Sequence, residues 1–367
     1  MKVFALFLRR PAFLACILAG VFSFGPGLAA QPTAACKPAT RDAAKVLTIG
    51  NSFADNATSF LPQIVESTGR KLVLFRANLG GCSLERHARH LNAALANPDD
   101  PEGSPYRNNP GVLGITGKDK VSLPEALAAV DWDFVTIQEW SQRSYKPEYQ
   151  EPYAKQIIDA VRKLAPKAEI VIHQTWAYRE DHPFFQKDDG FTQQKMYDGL
   201  RAAYKELSAR YGLRILPSGD AMQAARGTPR WQYRPDPDFD FKNPPAGRVP
   251  DQKGSLNVGW RWTKDKKGKQ VFGLDAIHAN AAGRYLTGCV FFEGFYGVDC
   301  SGVTFVPDDL TKDDATDLRR IAHSVSLGKC KSTCVPADGK HAPSNANNNN
   351  KPCKSGTVAG PACCNAN

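Results

Sequence analysis

Four apolar runs, each followed by a stretch with apolar residues at three- and four-residue spacing, constrain this chain more than any other feature. The runs are "KVLTIG" (45–50), "KLVLFRA" (71–77), "DFVTIQ" (133–138) and "EIVIHQTW" (169–176). Among them lie "SFLPQIVESTG", "SLERHARHLNAAL", "YAKQIIDAVRKLA" and "TQQKMYDGLRAAYKELSARYG", whose period is helical. Alternation of this kind predicts an α/β fold with a mostly parallel central sheet covered by helices on both faces. A fifth run, "LRILPSG" (213–219), is a weaker strand, because Pro217 cannot donate to a central ladder. A last helix is expected from about Ala281 to Phe292.

The termini follow different rules. Lys2, Arg9 and Arg10 precede the apolar stretch "PAFLACILAGVFSF" and the small residues "GLAAQ", the three-part pattern of a secretory signal over residues 1–30, with cleavage near Ala30. Pro11, Pro26 and the glycines make it a poor membrane span, so no stable membrane anchor is expected and the chain is assigned to the periplasm or the exterior. Residues 31–44 form a linker. Losing Lys2, Arg9 and Arg10 lowers the formal net charge from +10 to +7. The remaining lysines are scattered except in "TKDKKGKQ", which reads as a solvated loop. No nucleic-acid-binding signature accompanies it, and no nucleic-acid partner is expected.

Residues 45–325 suffice for one large domain with its own core. Two stretches within it, 96–120 and 226–272, are rich in Pro, Gly and charge and read as long insertions. The second carries Trp231, Tyr233, Trp260 and Trp262, which either stack on sugar rings or acyl groups or anchor the insertion. Cys36, Cys82, Cys289, Cys300, Cys330, Cys334, Cys353, Cys363 and Cys364 lie beyond the leader. In an exported chain they read first as disulfides, and their odd number leaves one thiol free or paired between chains. Five fall in a Cys- and Asn-rich tail, 326–367, and their spacing fits no zinc pattern, so neither metal nor cofactor is expected.

The first run stops at Gly50-Asn51-Ser52, which places Ser52 where a parallel sheet presents ligands, at the carboxyl end of a strand. Gly-Asn-Ser also makes an ordinary turn. The far end of the chain bears on the choice, though Asp-x-x-His alone is hardly specific and His278 alone reads as a surface or capping histidine: "GLDAIHANAAGRYL" sets Asp275 three residues before His278, with Asn280 placed to cap the last helix. A serine hydroxyl needs a base to become a nucleophile, and that base needs a partner to hold its tautomer. Asp-x-x-His supplies both.

Together "GNSFADN", "NLGG" and "DAIHANAAG" resemble the conserved blocks of the SGNH/GDSL hydrolase superfamily, flavodoxin-like three-layer α/β/α esterases, over residues 45 to about 295. The resemblance implies that Ser52 is the nucleophile, His278 the general base and Asp275 its orienter. It also implies an oxyanion hole from the N–H groups of Ser52 and Gly81, with Gly80 as a second choice for the glycine. Two departures stand out. Asn51 replaces the family's usual Asp, a change expected to be tolerated, and Gln138 replaces the asparagine whose amide usually completes the hole. Gln138 is either a strand-end residue or that donor on a longer stem; the other blocks favour the donor. The chain looks like the bacterial branch that opens with Gly-Asn-Ser-Phe and carries Gln in this block. His173, Trp176 and Tyr178 face the same rim and are candidates for the pocket wall. Asn56 opens a glycosylation sequon, but a glycan so near Ser52 would block the site.

The resulting expectation is an exported serine ester hydrolase that forms an acyl-enzyme and removes O-acyl, chiefly acetyl, groups from carbohydrate. Its partner is an ester-bearing small molecule or polysaccharide. A lipase or general carboxylesterase is the alternative within that chemistry, and a non-catalytic carbohydrate-binding protein the alternative outside it.

Overall fold

Each of the five apolar runs forms a strand of one sheet. The computed structural model describes residues 40–187 and 189–326; the expected leader, residues 31–39 of the linker and residues 327–367 of the Cys- and Asn-rich tail lie outside the described residues. The chain begins with β1 (Ala43–Gly50), α1 (Ser52–Thr58), α2 (Leu61–Glu66) and β2 (Lys71–Asn78). Next, α3 (Leu84–Ala96) leads into the first insertion, where β3 (Tyr106–Arg107) and β4 (Lys120–Val121) pair antiparallel around α4 (Pro110–Leu113). Then follow α5 (Leu123–Ala129), β5 (Phe134–Ile137), α6 (Tyr153–Leu164), β6 (Glu169–His173), α7 (Gln193–Tyr211), β7 (Arg214–Leu216) and α8 (Ser218–Arg226). The described chain closes with β8 (Asn257–Lys264), β9 (Gln270–Ala279), α9 (Ala281–Tyr296) and α10 (Lys312–Ser326).

The sheet is parallel throughout, in the order β2-β1-β5-β6-β7. Because β2 lies on one side of β1 and β5 on the other, the direction of winding reverses at β1, and its carboxyl end opens on the crevice such a reversal leaves. The weakest expected strand, β7, sits at the sheet edge and stops before Pro217, where a missing N–H breaks no ladder bond. Helices α1, α2, α8 and α10 pack against α9, while α3, α5 and α6 pack on one another. These are the two covering layers of a three-layer α/β/α sandwich. Val46, Leu47, Ile49, Phe134, Val135, Ile137, Val171 and Ile172 are all fully buried, so the central strands present apolar side chains to both covering layers.

The second insertion departs from the expectation of an irregular segment. Its last part is the antiparallel hairpin β8–β9, and β9 runs on through Asp275 to Ala279. The turn between the strands is held by Asp265, whose carboxylate accepts from the N–H groups of Lys267 and Lys269, and Gly268 takes φ +80° there. The charged tip "DKKGK" hides the strand–turn–strand pattern that "NVGWRWTK" and "QVFGLDAIHA" would otherwise display. Trp260 stacks on Phe272 with centroids 5.0 Å apart, and Phe239, Phe241 and Trp262 pack onto that pair. Trp231 and Tyr233 are buried anchors: the Trp231 indole donates to Asp317 on α10, and the Arg179 guanidinium lies 3.8 Å over the Tyr233 ring.

The disulfide expectation is corrected for the cysteines within the described residues. Cys82, Cys289 and Cys300 are buried free thiols, each enclosed by a core that needs no staple. No helix among the described residues is long and apolar enough to cross a membrane.

Candidate active site

The nucleophile position is built by the end of β1. A Cβ on Gly50 would lie 2.9 Å from the Gln138 side chain, so only glycine fits at the strand terminus. Asn51 takes an extended conformation and caps α1, its side-chain oxygen accepting from Phe53 N–H at 3.0 Å. Ser52 is therefore the first residue of the helix, and its Oγ lies 2.9 Å from His278 Nε2. On the other side of the imidazole, Nδ1 lies 3.0 and 3.1 Å from the two Asp275 oxygens. A carboxylate only accepts, so Nδ1 carries the proton and Nε2 offers its lone pair to the serine hydroxyl.

Asp275 is well suited to remain ionised. Burial pushes its carboxyl up, but hydrogen bonds from the His278 side chain and backbone N–H, with the charges of His278 and Arg261, more than offset this and hold it at about 2. Arg261 on β8 reaches it with Nη2 at 3.0 Å.

The end of β9 lies off the main sheet; Arg179 N–H donates to Ala276 C=O at 2.9 Å, and side chains add to that hold. Asn56 Oδ1 accepts from Ala279 N–H at 2.8 Å, Trp176 Nε1 donates to Ile277 C=O at 3.0 Å, and Asn257 Nδ2 donates to the same carbonyl at 3.2 Å. Asn280 caps α9 through Gly283 N–H at 3.1 Å. The sequon residue Asn56 is thus a buried clamp. Trp176 and Tyr178, candidates for the pocket wall, are fully buried instead: Trp176 supports the His278 segment and stacks on Phe53 with centroids 4.3 Å apart.

Facing Ser52 is the turn 79–82. Cys82 N–H donates to Leu79 C=O at 3.1 Å, and Gly81 takes φ +60°, a left-handed position that suits glycine. Leu79 N–H donates to Gly50 C=O at 3.0 Å and Asn51 Nδ2 donates to Cys82 C=O at 2.9 Å, so the turn and the nucleophile share one support. The Asn-for-Asp change is accordingly more than tolerated, since a carboxylate could not donate to Cys82. Neither Ser52 N–H nor Gly81 N–H donates to a protein group among the described residues.

Gln138 is where the structure corrects the reading of the sequence. It is buried one residue past β5, its Nε2 donates to Asn51 Oδ1 at 2.8 Å, and its Oε1 accepts from His173 Nδ1 at 2.7 Å. The longer stem folds under Gly50, where no Cβ obstructs it, and the amide supports Asn51 from beneath instead of projecting beside Ser52. His173, a third candidate for the wall, is buried behind it.

Two residues escaped the reading of the sequence. His87 on α3 donates from Nε2 to Gly50 C=O at 2.9 Å and accepts at Nδ1 from the Tyr106 hydroxyl at 2.8 Å. Burial holds both His87 and His173 down at about 3, so both are neutral. The signal for His87 was the spacing in "LERHARH", which sets it on the apolar face of α3. Trp140 flanks the turn, its Nε1 3.9 Å from where a Cβ on Gly81 would sit. Beside it the buried Glu139 is pushed up to about 7 by desolvation, against the hydrogen bonds it accepts from Trp140 and Leu84 N–H groups. Glu293, Asp299 and Cys300 are spaced for a metal ion. They lie at the far end of α9, about 20 Å from Asn280 at 1.5 Å per residue, and Glu293 is already engaged by His323 and Cys300 N–H.

The family described as "Domain of unknown function (DUF4886)" matches residues 45–233, a span that takes in Ser52, Gly81 and Gln138. The crystal structure of a DUF4886 family protein from Bacteroides uniformis ATCC 8492 is similar, with a TM-score of 0.56 and 24% identity over 78% of this chain and 96% of that one. A candidate SGNH hydrolase from Slackia heliotrinireducens gives a TM-score of 0.40 and 20% identity over 69% and 98% of the two chains. A candidate GDSL-like lipase from Parabacteroides merdae ATCC 43184 gives 0.39 and 12% over 70% and 97%. No curated protein matches the chain.

Proposed function

The chain belongs to the DUF4886 family, and from the geometry around Ser52 we propose that it is a serine ester hydrolase acting through an acyl-enzyme. The observation that carries this reading is the unbroken chain from Ser52 Oγ to His278 Nε2 at 2.9 Å and from His278 Nδ1 to Asp275 at 3.0 Å. Ser52 Oγ attacks the ester carbonyl carbon while its proton passes to His278 Nε2, and ionised Asp275 stabilises the imidazolium. The tetrahedral oxyanion takes the N–H groups of Ser52 and Gly81. As it collapses, His278 returns the proton to the departing alkoxide, leaving Ser52 acylated. Water, deprotonated by His278, then releases the acid and restores the hydroxyl. Gln138 acts in this scheme by positioning Asn51.

For substrate we propose O-acyl, chiefly acetyl, groups on carbohydrate, and for location export through the leader at residues 1–30. The hairpin that carries Asp275 supports the substrate class, because Trp262 and Phe272 along it keep part of their rings exposed. A lipase or general carboxylesterase would use the same residues on a less polar ester. The aligned Ser52, His278 and Asp275 count against a non-catalytic binder.

A fluorophosphonate is expected to label the purified protein on Ser52 alone, with turnover of p-nitrophenyl acetate and faster release of acetate from acetylated xylan. Absence of both adduct and turnover would favour the binding protein. Turnover of the nitrophenyl ester with no release from xylan would favour a general carboxylesterase. Amino-terminal sequencing of protein from the culture medium or periplasm is expected to begin near Gln31.

A further inference from the structure

The positive charge of the chain is not spread evenly. Residues 226–272 hold eleven basic and five acidic residues, a net +6 of the +7 that remains beyond the leader. Several of the basic residues are paired: Arg230 with Asp314, Lys253 with Asp251 and Arg261 with Asp275. Lys264, Lys266, Lys267 and Lys269, at the tip of the hairpin β8–β9, are exposed and enter no ion pair among the described residues. The one carboxylate of the tip, Asp265, accepts from the N–H groups of Lys267 and Lys269 at 2.8 and 2.9 Å. That turn rests on Asp265 and on Gly268 at φ +80°. It needs no lysine, and four like charges so close repel one another.

The tip leads back to the candidate active site along one open face. Alternation along β9 sets Asp275, Gly273 and Val271 on the same side of the ribbon, with Arg261 and Thr263 beside them on β8. The Arg261–Asp275 pair confirms that shared side. Here Arg261 and Thr263 are exposed, Val271 is 41% exposed, and a Cβ on Gly273 would meet no atom within 4 Å. The opposite side carries Trp260 and Phe272 and is covered by Phe239 and Phe241. From Asp275 to Gln270, where the tip begins, is five residues, about 17 Å at about 3.4 Å per residue. A face with Val271 as its exposed apolar side chain suits a hydrophilic chain better than a lipid surface, and the unpaired lysines call for carboxylates on that chain. Nucleic acid carries no carboxylic ester. On the esterase reading above, we infer that the open face of this hairpin and its lysine tip bind an acidic polysaccharide, whose carboxylates lie among the four lysines while one of its O-acyl groups reaches Ser52.

Polygalacturonate without acyl groups tests the surface apart from the chemistry. The full chain is expected to bind it saturably by biolayer interferometry, about tenfold or more tighter than neutral dextran of equal length, and to lose most of that advantage between about 20 and 300 mM salt. In Lys264→Gln/Lys266→Gln/Lys267→Gln/Lys269→Gln the affinity is expected to fall about tenfold. The preference in kcat/KM for acetylated polygalacturonate over p-nitrophenyl acetate should fall by the same factor. Lys155→Gln/Lys163→Gln/Lys167→Gln/Lys205→Gln removes as much charge from α6, the loop after it and α7, and is expected to bind polygalacturonate as the wild type does. Absence of saturable binding, equal affinity for dextran, full affinity in the hairpin variant, equal weakening in the two quadruple variants, or tighter binding to phosphatidylglycerol vesicles than to polygalacturonate would each overturn the assignment. Binding that meets these expectations with no ester turned over would uphold the surface and remove the esterase reading instead.

Discussion

The two halves of the proposed catalytic centre are supported in opposite ways. Ser52 stands on the middle of the sheet, at the end of a strand paired on both sides, and Gly50, Asn51, Gln138, His173 and His87 form a buried polar scaffold beneath it. His278 and Asp275 stand on the last residues of a hairpin outside that sheet, fastened by side-chain bonds from Asn56, Trp176 and Asn257 and by two backbone bonds, Arg179 N–H to Ala276 C=O and Asn280 N–H to Leu256 C=O. The nucleophile is thus placed by the fold and the base by clamps. Substitutions beneath Ser52 should cost stability and activity together, whereas those at the clamps should cost activity first.

The largest effect is expected at the reacting atoms, where the two halves meet. Ser52→Ala and His278→Ala should each lower kcat by roughly 10⁴-fold or more, and the double variant should lose little beyond either, because the groups act as a unit. Residual turnover that multiplies down in the double variant would show that the two halves work independently.

Next comes the comparison itself. Gln138→Ala removes the acceptor of His173 Nδ1–H and the donor to Asn51 within a buried site, and should cost about 2–5 kcal/mol of stability by denaturant titration together with a loss of kcat. Were Gln138 instead a direct donor to the oxyanion, kcat would fall with the unfolding midpoint unchanged. Asn56→Ala at the clamp should cost less stability, about 1–2 kcal/mol, but lower kcat about tenfold by letting the His278 segment move. Equal losses of stability in the two variants would abolish the distinction between scaffold and clamp.

Acid should weaken the two halves at different pH. His87 and His173 titrate in the folded protein at about 3 against an ordinary 6.5, so the unfolded chain binds protons that the native state refuses. Their contribution is complete above pH 6.5 and declines as the pH falls toward 3, by about 1.4 kcal/mol per pH unit for each ring. Asp275, held at about 2 against 3.8, adds its own loss only below about pH 4. Glu139, held up at about 7 against 4.5, takes up its proton in the native state first and offsets about one ring's slope down to pH 4.5, so His173→Gln, which keeps a donor toward Gln138, should remove most of the net slope of the denaturant midpoints between pH 6.5 and 4.5. An unchanged slope in this variant would mean that His173 is already protonated within the native scaffold.

What could be read from the sequence follows the same division. The strands were legible because burial on both faces leaves Val46, Leu47 and Ile49, and Ile170–Ile172, apolar on both faces of the strand, a pattern that survives without knowledge of neighbours. The order of Ser52, Asp275 and His278 was legible because short motifs carry them. The direction of Gln138 was not, since it depends on the missing Cβ of Gly50, 88 positions earlier, and on an acceptor site at His173. His87 was equally hidden, because its partner is a carbonyl 37 residues away. The hairpin escaped notice because its lysine-rich tip resembles a solvated loop.

The smallest effect concerns Arg261, the one charged side chain of β8 that touches Asp275. Its side chain is 52% exposed and that of Asp275 14%, so the pair stands close to water, where ion pairs contribute about 0–1 kcal/mol. In Arg261→Gln the two hydrogen bonds from His278 still favour the carboxylate. Asp275 should move up from about 2 but stay ionised at neutral pH. At pH 7 kcat/KM should therefore change by less than about threefold, while the decline of activity in acid should begin at a higher pH than in the wild type. High salt screens the wild-type pair and should bring the two proteins together. A loss of more than tenfold at pH 7 would place Arg261 in contact with the substrate, and the hairpin would then belong to the reaction itself as well as to the support of its base.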